Sequence, residues 1–100
     1  MGQKKGGTTQ DREILKLQDD YKDSVAHLLA RKSNTTNWST EDKEILKLKD
    51  YAERSVAYLL AYYHPTWTTD NLEILSLVNK YGETVEDMLE EKGKINKRRL

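Results

Sequence analysis

The sequence predicts an all-α protein, a compact bundle of about six short helices that are formed by three tandem two-helix repeats. Three observations support this fold class: an internal repeat, apolar positions at helical spacing, and few turn-forming residues. The chain has 100 residues with one Pro and five Gly, three of them within the first seven positions. Such a composition favours helices over a turn-rich sheet. With 36% apolar residues, the chain can supply one small core.

The internal repeat is visible when residues 9–30, 40–61 and 69–90 are aligned. Each copy contains Glu-Ile-Leu near its start, at residues 13–15, 44–46 and 73–75, and the offsets are 31 and then 29 residues. The alignment predicts a single helical domain over residues 9–91, with repeats at 9–33, 39–64 and 68–91. A flexible N-terminal tail is expected at residues 1–8. Residues 92–100 are expected to form a basic C-terminal tail or a short helix.

The first helix of each repeat is predicted from apolar residues that form one stripe at a period of 3.6. In the first two copies these are positions 14, 15, 17 and 21, and positions 45, 46, 48 and 51. A hydroxyl residue stands three positions before a polar residue at each start: Thr8 before Asp11, Ser39 before Asp42 and Thr68 before Asn71. Because hydroxyl oxygens accept hydrogen bonds from exposed helix amides, we expect Thr8, Ser39 and Thr68 to cap these helices.

The second helix of each repeat is marked by Val, Leu and Leu in the first two copies and by Val, Met and Leu in the third. Polar breaks at residues 22–23, 53–54 and 82–83 separate it from the first helix, and helices of about 9 to 14 residues are expected. A unit of about 30 residues cannot bury its apolar stripe alone, so the units are expected to stack. Trp38 and Trp67 are predicted to close over the junctions between units, with Trp67 contacting Leu72.

Two helix starts share a tryptophan that is followed by hydroxyl and acidic or amide residues: WSTEDKEIL at residues 38–46 and WTTDN at residues 67–71. In the third copy the pattern continues through LVNKYG at residues 77–82 and then Thr84 and Val85. These stretches resemble the Myb/SANT repeat, a three-helix, homeodomain-like DNA-binding unit. The resemblance implies a small DNA-binding protein of the transcriptional-regulator class, whose third helix reads DNA.

The C-terminal segment stands where a third helix would follow the third copy. It carries five positive charges and an Asn of the kind that pairs with adenine. The chain as a whole is neutral, with 17 basic and 17 acidic residues, so its basic ends are the expected phosphate contacts. The candidate DNA-binding residues are Lys92, Lys94, Asn96, Lys97, Arg98, Arg99, Lys4 and Lys5. The alternative is that this segment is a solvated basic tail, or that its positive charge interacts favourably with the C-terminal end of the last helix.

An aromatic cluster around the only proline suggests a second function, a helical protein-interaction module or inhibitor that binds a partner protein through the Tyr62–Trp67 surface. The candidate residues are Tyr58, Tyr62, Tyr63, His64 and Trp67. Aromatic side chains anchor protein partners well. The alternative is that these side chains fill the gap between the second and third units. DNA and a partner protein therefore remain the two candidate partners.

Catalysis finds little support, and no enzyme activity is expected. The chain has no Cys and only two His, and it contains no glycine-rich phosphate loop, metal-ligand cluster or nucleophile elbow. We therefore expect no cofactor and no metal. We also expect no membrane association, since no apolar run approaches about 18 residues. His27 is expected to be half-exposed, and His64 is expected to end a helix. With no secretory signal in the polar N-terminal segment, an intracellular protein is expected, located in the cytoplasm or in the nucleoid or nucleus.

Overall fold

The computed structural model describes residues 11–95, and within this range the chain is all-α, as predicted. Three isolated antiparallel bridges accompany the helices, and the described residues contain no extended strand. The helices are α1 (Arg12–Leu15), α2 (Val25–Arg31), α3 (Ser33–Thr36), α4 (Lys43–Leu46), α5 (Val56–Tyr63), α6 (Leu72–Leu75) and α7 (Val85–Glu91).

Each repeat consists of a one-turn helix, a tight turn and a longer helix. The first helices α1, α4 and α6 have four residues, and the second helices α2, α5 and α7 have seven or eight. The expected lengths of 9 to 14 residues are wrong, because the chain leaves the first helix to form a bridge. In the first repeat the Val25 N–H donates to the Leu17 carbonyl at 3.0 Å, and the other two repeats repeat this bond.

The one-turn helices have their N-caps at Asp11, Asp42 and Asn71, three residues after the hydroxyl residues that were predicted to cap them. The Asp42 carboxylate accepts from the Glu44 N–H at 3.0 Å, and the Asn71 side chain accepts from the Glu73 N–H at the same distance. The expected caps at Ser39 and Thr68 are therefore wrong, and Thr8 lies outside the described residues. Carboxylate and amide side chains are strong N-caps, and here they stand next to the first helical residue.

A side-chain oxygen organises the turn between the two helices of every repeat. The Oδ1 atoms of Asp19, Asp50 and Asn79 each accept from the backbone N–H groups two and four residues ahead, at 2.9 to 3.0 Å. The fourth residue of each turn has a positive φ. These residues are Lys22 (64°), Glu53 (62°) and Gly82 (82°). Glycine adopts this conformation without steric cost, whereas Lys and Glu do not.

The second helices pack side by side along the stack, α2 against α5 and α5 against α7. One continuous core runs through all three repeats and includes Trp38 and Trp67, as expected from their positions at the junctions. Leu72 is 80% exposed, so the expected packing of Trp67 on this residue is wrong. The described residues therefore form the predicted stack, but each tryptophan lies four residues before an N-cap rather than one.

The two ends of the stack differ in polarity. Ile14 and Leu28 in the first repeat are 43% and 47% exposed, whereas the equivalent Ile45 and Leu59 in the second are 0% and 2% exposed. The first repeat covers the second, and no described residue covers the first. At the other end, Glu86 and Glu90 occupy the positions of the buried alanine pairs Ala26/Ala30 and Ala57/Ala61.

The turn geometry predicts opposite effects of substitution at two equivalent positions. Gly82→Ala should lower the free energy of unfolding by about 1 kcal/mol, because a Cβ there meets no atom within 4 Å and only the positive φ is unfavourable. Glu53→Gly should instead raise it by up to about 1 kcal/mol, whereas Glu53→Ala, which keeps the strain, should not. Urea unfolding followed by circular dichroism measures all three. If Glu53→Gly were less stable than Glu53→Ala, the claim that the positive φ at residue 53 is strained would be wrong.

The uncovered first repeat predicts unequal costs for the same truncation. Leu59→Ala should lower the free energy of unfolding by about 2–5 kcal/mol because it leaves a cavity where a buried core side chain was. The equivalent Leu28→Ala should cost about 1 kcal/mol or less, since almost half of that side chain is in water. Chemical unfolding of the two variants makes the comparison. Equal losses would show that Leu28 is covered in solution.

Candidate functional site

The three turns present one exposed tyrosine each, and together they form what we call the turn edge. Tyr21, Tyr51 and Tyr81 are 71%, 67% and 77% exposed. The backbone N–H of Tyr21 donates to Asp19 Oδ1, and that of Tyr81 donates to Asn79 Oδ1, both at 2.9 Å. Each ring is thus carried by a turn whose backbone is held by a side-chain hydrogen bond. Exposed aromatic residues on ordered turns are typical of binding surfaces.

A first cleft lies between the turns of the first and second repeats, and its two arginines are paired with carboxylates of the same lining. The Arg31 guanidinium makes a two-pronged bond to the Asp23 carboxylate at 3.0 and 2.7 Å, and this contact raises the pKa of Arg31 above its ordinary value. Arg54 binds the buried Asp50 carboxylate at 3.0 Å. Tyr21 and Tyr51 complete the lining. Since both guanidinium groups already have carboxylate partners, this cleft is a structural junction.

A second cleft of about 260 Å³, which we call the aromatic cleft, lies between the turns of the second and third repeats. Tyr62 and Tyr63 meet edge to face with their ring centroids 4.7 Å apart. Tyr62 is exposed, whereas Tyr58 and Tyr63 are half-buried. The lining residues are Arg54, Tyr58, Leu59, Tyr62, Tyr63, Asn79, Tyr81 and Glu83.

The Glu83 carboxylate is the acidic group of the aromatic cleft. Its Oε1 atom accepts from Asn79 Nδ2 at 2.8 Å and from the Tyr58 hydroxyl at 3.2 Å. Burial, followed by the nearby Glu83 charge, raises the pKa of Tyr58 to about 12. Tyr58 therefore remains a neutral donor at physiological pH, and the negative charge of the cleft stays on Glu83.

The predicted interaction residues are divided between this cleft and the core. Tyr58, Tyr62 and Tyr63 line the cleft, but His64 and Trp67 are buried. His64 ends α5, as expected, and its Nδ1 atom accepts from the Trp67 N–H at 2.9 Å. The Trp67 indole N–H has no hydrogen-bond partner among the described residues, as fits a side chain held by packing. In this structure His64 and Trp67 are not available to a partner.

Sequence reasoning missed Tyr81 and Glu83. Both follow Asn79 in a polar turn, and a turn of this composition is ordinarily interpreted as a solvated connection. The available signal was the recurrence of one tyrosine in the turn of every repeat, at positions 21, 51 and 81.

The two predicted DNA-binding residues within the described range already have intramolecular contacts. The Lys92 ammonium lies 4.1 Å from the centroid of the Tyr62 ring. Lys94 Nζ donates to the carbonyls of Leu60 and Ala61 at 3.4 and 3.0 Å, near the end of α5. Burial, and secondarily Lys92, lower the pKa of Lys94. The other candidates, Lys4, Lys5, Asn96, Lys97, Arg98 and Arg99, lie outside the described residues.

Charge is distributed unevenly along the chain. Residues 11–95 hold 12 Lys and Arg side chains against 17 Asp and Glu side chains, a net charge of minus five at pH 7. The other five basic side chains lie in residues 1–10 and 96–100. The described part of the protein is therefore acidic, which disfavours contact between it and phosphate groups.

His27 is fully buried at the first junction, so the expectation of a half-exposed side chain is wrong. Its Nε2 atom donates to the Arg54 carbonyl at 2.9 Å, and its Nδ1 atom lies 2.7 Å from the Ser24 hydroxyl. Tyr58 is the equivalent residue of the second repeat, and its hydroxyl donates a hydrogen bond across the second junction to Glu83. Burial is the main cause that lowers the pKa of His27 below its ordinary 6.5.

This geometry predicts that acidification destabilises the protein through His27. The unfolded chain takes up a proton near pH 6.5, whereas the folded chain does so only at lower pH. The contribution of neutral His27 to the free energy of unfolding is therefore complete above pH 6.5 and is lost as the pH falls toward the folded-state pKa. The melting temperature of the natural protein should drop between pH 7 and 5. His27→Gln should be less stable at pH 7 but should lose less on acidification, and equal slopes for the two proteins would refute the assignment.

No protein-family model matches the chain, and neither a curated protein nor an experimental structure shows significant similarity to it. Within residues 11–95 no helix is long and apolar enough to cross a membrane. A search of the same residues for three or more His, Cys, Asp or Glu side chains arranged to hold a metal ion finds no such group.

Proposed function

We propose that this chain is a helical protein-interaction module that binds a partner protein through its turn edge and the adjoining aromatic cleft. The observation that supports this function is the presence of one exposed tyrosine on each of three equivalent, hydrogen-bonded turns, at the matching positions Tyr21 and Tyr81 and one residue earlier in its turn at Tyr51. The sequence had pointed to the aromatic residues of the second repeat. Tyr81 lines the same cleft as three of them, whereas His64 and Trp67 are buried.

Tyrosine is suited to this role because its ring offers a large apolar face and its hydroxyl can hydrogen-bond. Its two side-chain torsions also lose little entropy on binding. Energetic anchors of interfaces are enriched in Trp, Tyr and Arg. On the turn edge the backbone is already ordered by the oxygens of Asp19, Asp50 and Asn79, so little further ordering is needed when a partner binds.

DNA binding is a second proposal, supported by the resemblance to Myb/SANT repeats and by the location of five basic residues in the two terminal segments. It would rest on Lys4, Lys5 and the basic residues after Ile95. The acidic charge of residues 11–95 would then make the body of the protein a spacer between the two basic ends. Such binding would weaken steeply with salt, and substitution of the tyrosines would leave it unchanged.

The interaction proposal predicts that peptides selected on this protein need the tyrosines. A random peptide library displayed on phage is panned against the immobilised chain, and the affinities of enriched peptides are measured by fluorescence polarisation. Tyr62→Ser and Tyr81→Ser should each weaken binding by about tenfold or more. Leu72→Ser is the matched control for Tyr81, because Leu72 is 80% exposed against 77% for Tyr81 but lines neither cleft, and it should have no effect.

The same protein is titrated with mixed duplex DNA at low and moderate salt. Selected peptides that bind all variants equally would refute the interaction proposal. Salt-sensitive DNA binding that is indifferent to Tyr62 and Tyr81, with no peptide enrichment, would favour the second proposal instead.

A further inference from the structure

We propose that the aromatic cleft receives a basic side chain, a lysine or an arginine, from the partner protein. This inference rests on the proposed interaction function and specifies the chemistry of its ligand. The juxtaposition that supports it is a set of tyrosine rings around one carboxylate, with Tyr62 and Tyr81 exposed at the rim and Glu83 beside them.

The walls of the cleft are suited to a cation. The face of an aromatic ring carries negative electrostatic potential and attracts ammonium and guanidinium groups within about 6 Å of its centroid. Four tyrosines line the cleft, and its volume of about 260 Å³ accommodates one side chain rather than a whole helix. Tyr58 is a neutral donor to Glu83, so its hydroxyl adds no charge but fixes the carboxylate in place.

The one carboxylate of the cleft has no basic partner among the lining residues. Glu83 contributes a carboxylate that is exposed to solvent, and its two known donors, Tyr58 and Asn79, are both neutral. Arg54 is the one basic residue in the lining, and its guanidinium is paired with the buried Asp50 carboxylate at 3.0 Å. The surrounding body, residues 11–95, carries a net charge of minus five. An approaching basic segment is therefore attracted over a distance and then held locally.

The chain itself already shows that a tyrosine of this cleft binds an ammonium group. Lys92 places its Nζ atom 4.1 Å from the centre of the Tyr62 ring. This distance is well within the range of a cation–π contact. Lys80 likewise places its Nζ atom 5.9 Å from the centre of the Tyr81 ring. A lysine from a partner would compete with these two side chains for the exposed rings, with Glu83 as an additional acceptor.

The equivalent positions at the first junction do not offer this chemistry. His27 and Arg31 stand there in place of Tyr58 and Tyr62, and Arg31 is bonded to Asp23. The lining of the first cleft has three aspartates and two arginines, with Asp23 and Asp50 paired to Arg31 and Arg54, and it offers two tyrosine rings where the aromatic cleft offers four. Within the described residues the proposed site belongs to the second junction, although the backbone of the turns is the same at both.

The test uses three heptapeptides, Gly-Gly-Ser-X-Ser-Gly-Gly, in which X is lysine, arginine or norleucine. They are titrated into the ¹⁵N-labelled full chain, and amide shifts are followed by nuclear magnetic resonance. The lysine and arginine peptides should shift the amides of Tyr81 and Glu83 and should bind about fivefold more tightly than the neutral norleucine peptide. Glu83→Gln keeps the shape but removes the charge, so it should weaken the basic peptides about threefold or more and leave norleucine unchanged.

Tyr81→Leu should weaken the basic peptides in the same way, and Tyr21→Leu, at the equivalent position of the first repeat, is the matched control that should not. Because both rings are more than 70% exposed, the substitutions should preserve the fold, and the amide spectrum reports this directly. Equal binding of the norleucine peptide at the cleft would overturn the basic-ligand inference and leave the interaction function intact. Absence of shifts at the cleft with all three peptides would overturn the inference, and failure of the library test as well would overturn both.

Discussion

The structure depends on one side-chain oxygen in each repeat, at Asp19, Asp50 and Asn79. A four-residue helix cannot persist alone, because helix nucleation is costly and a single turn gains few hydrogen bonds. The turn oxygen accepts hydrogen bonds from two backbone N–H groups. These bonds hold the turn that places each one-turn helix beside the longer helix of its repeat. The same turn carries the exposed tyrosine, so the element that organises the fold also places the proposed binding residues.

The stack has a direction that follows from side-chain size and charge. The alanines of α2 and α5 are buried where the next repeat packs, whereas α7 has Glu86 and Glu90 at those positions. Charged side chains there would be costly to bury, so a fourth repeat does not fit after the third in this manner. At the opposite end Ile14 and Leu28 are apolar like the equivalent Ile45 and Leu59, but they are exposed where Ile45 and Leu59 are buried. Only the middle repeat is therefore covered on both sides by described residues.

Much of the fold could be predicted because the repeat and its apolar residues are visible in the sequence. The expected helices were too long because Leu17, Leu48 and Leu77 keep helical spacing in the sequence. In the structure their carbonyls lie beyond the helix and accept hydrogen bonds from the valine N–H groups at the start of the next helix of the repeat. The capping prediction failed because two residues that can cap a helix, a hydroxyl and an acidic or amide residue, lie three positions apart, and spacing alone could not rank them. His27 was misplaced for a related reason: its equivalent Tyr58 is only half-buried, and the burial of His27 arises from contact with Arg54 in the next repeat.

The candidate site was predictable only where composition concentrates it. Tyr58, Tyr62 and Tyr63 could be found because they lie together on one helix, whereas Tyr81 and Glu83 join them through stacking of the third repeat on the second. Stacking also separates the roles of the charges. The acidic residues belong to the described body, five of the basic residues lie in the terminal segments, and Lys92 and Lys94 are held by Tyr62 and by α5. A negatively charged body with an aromatic cleft is electrostatically matched to a basic protein segment, whereas phosphate binding would have to use the chain ends against the charge of that body.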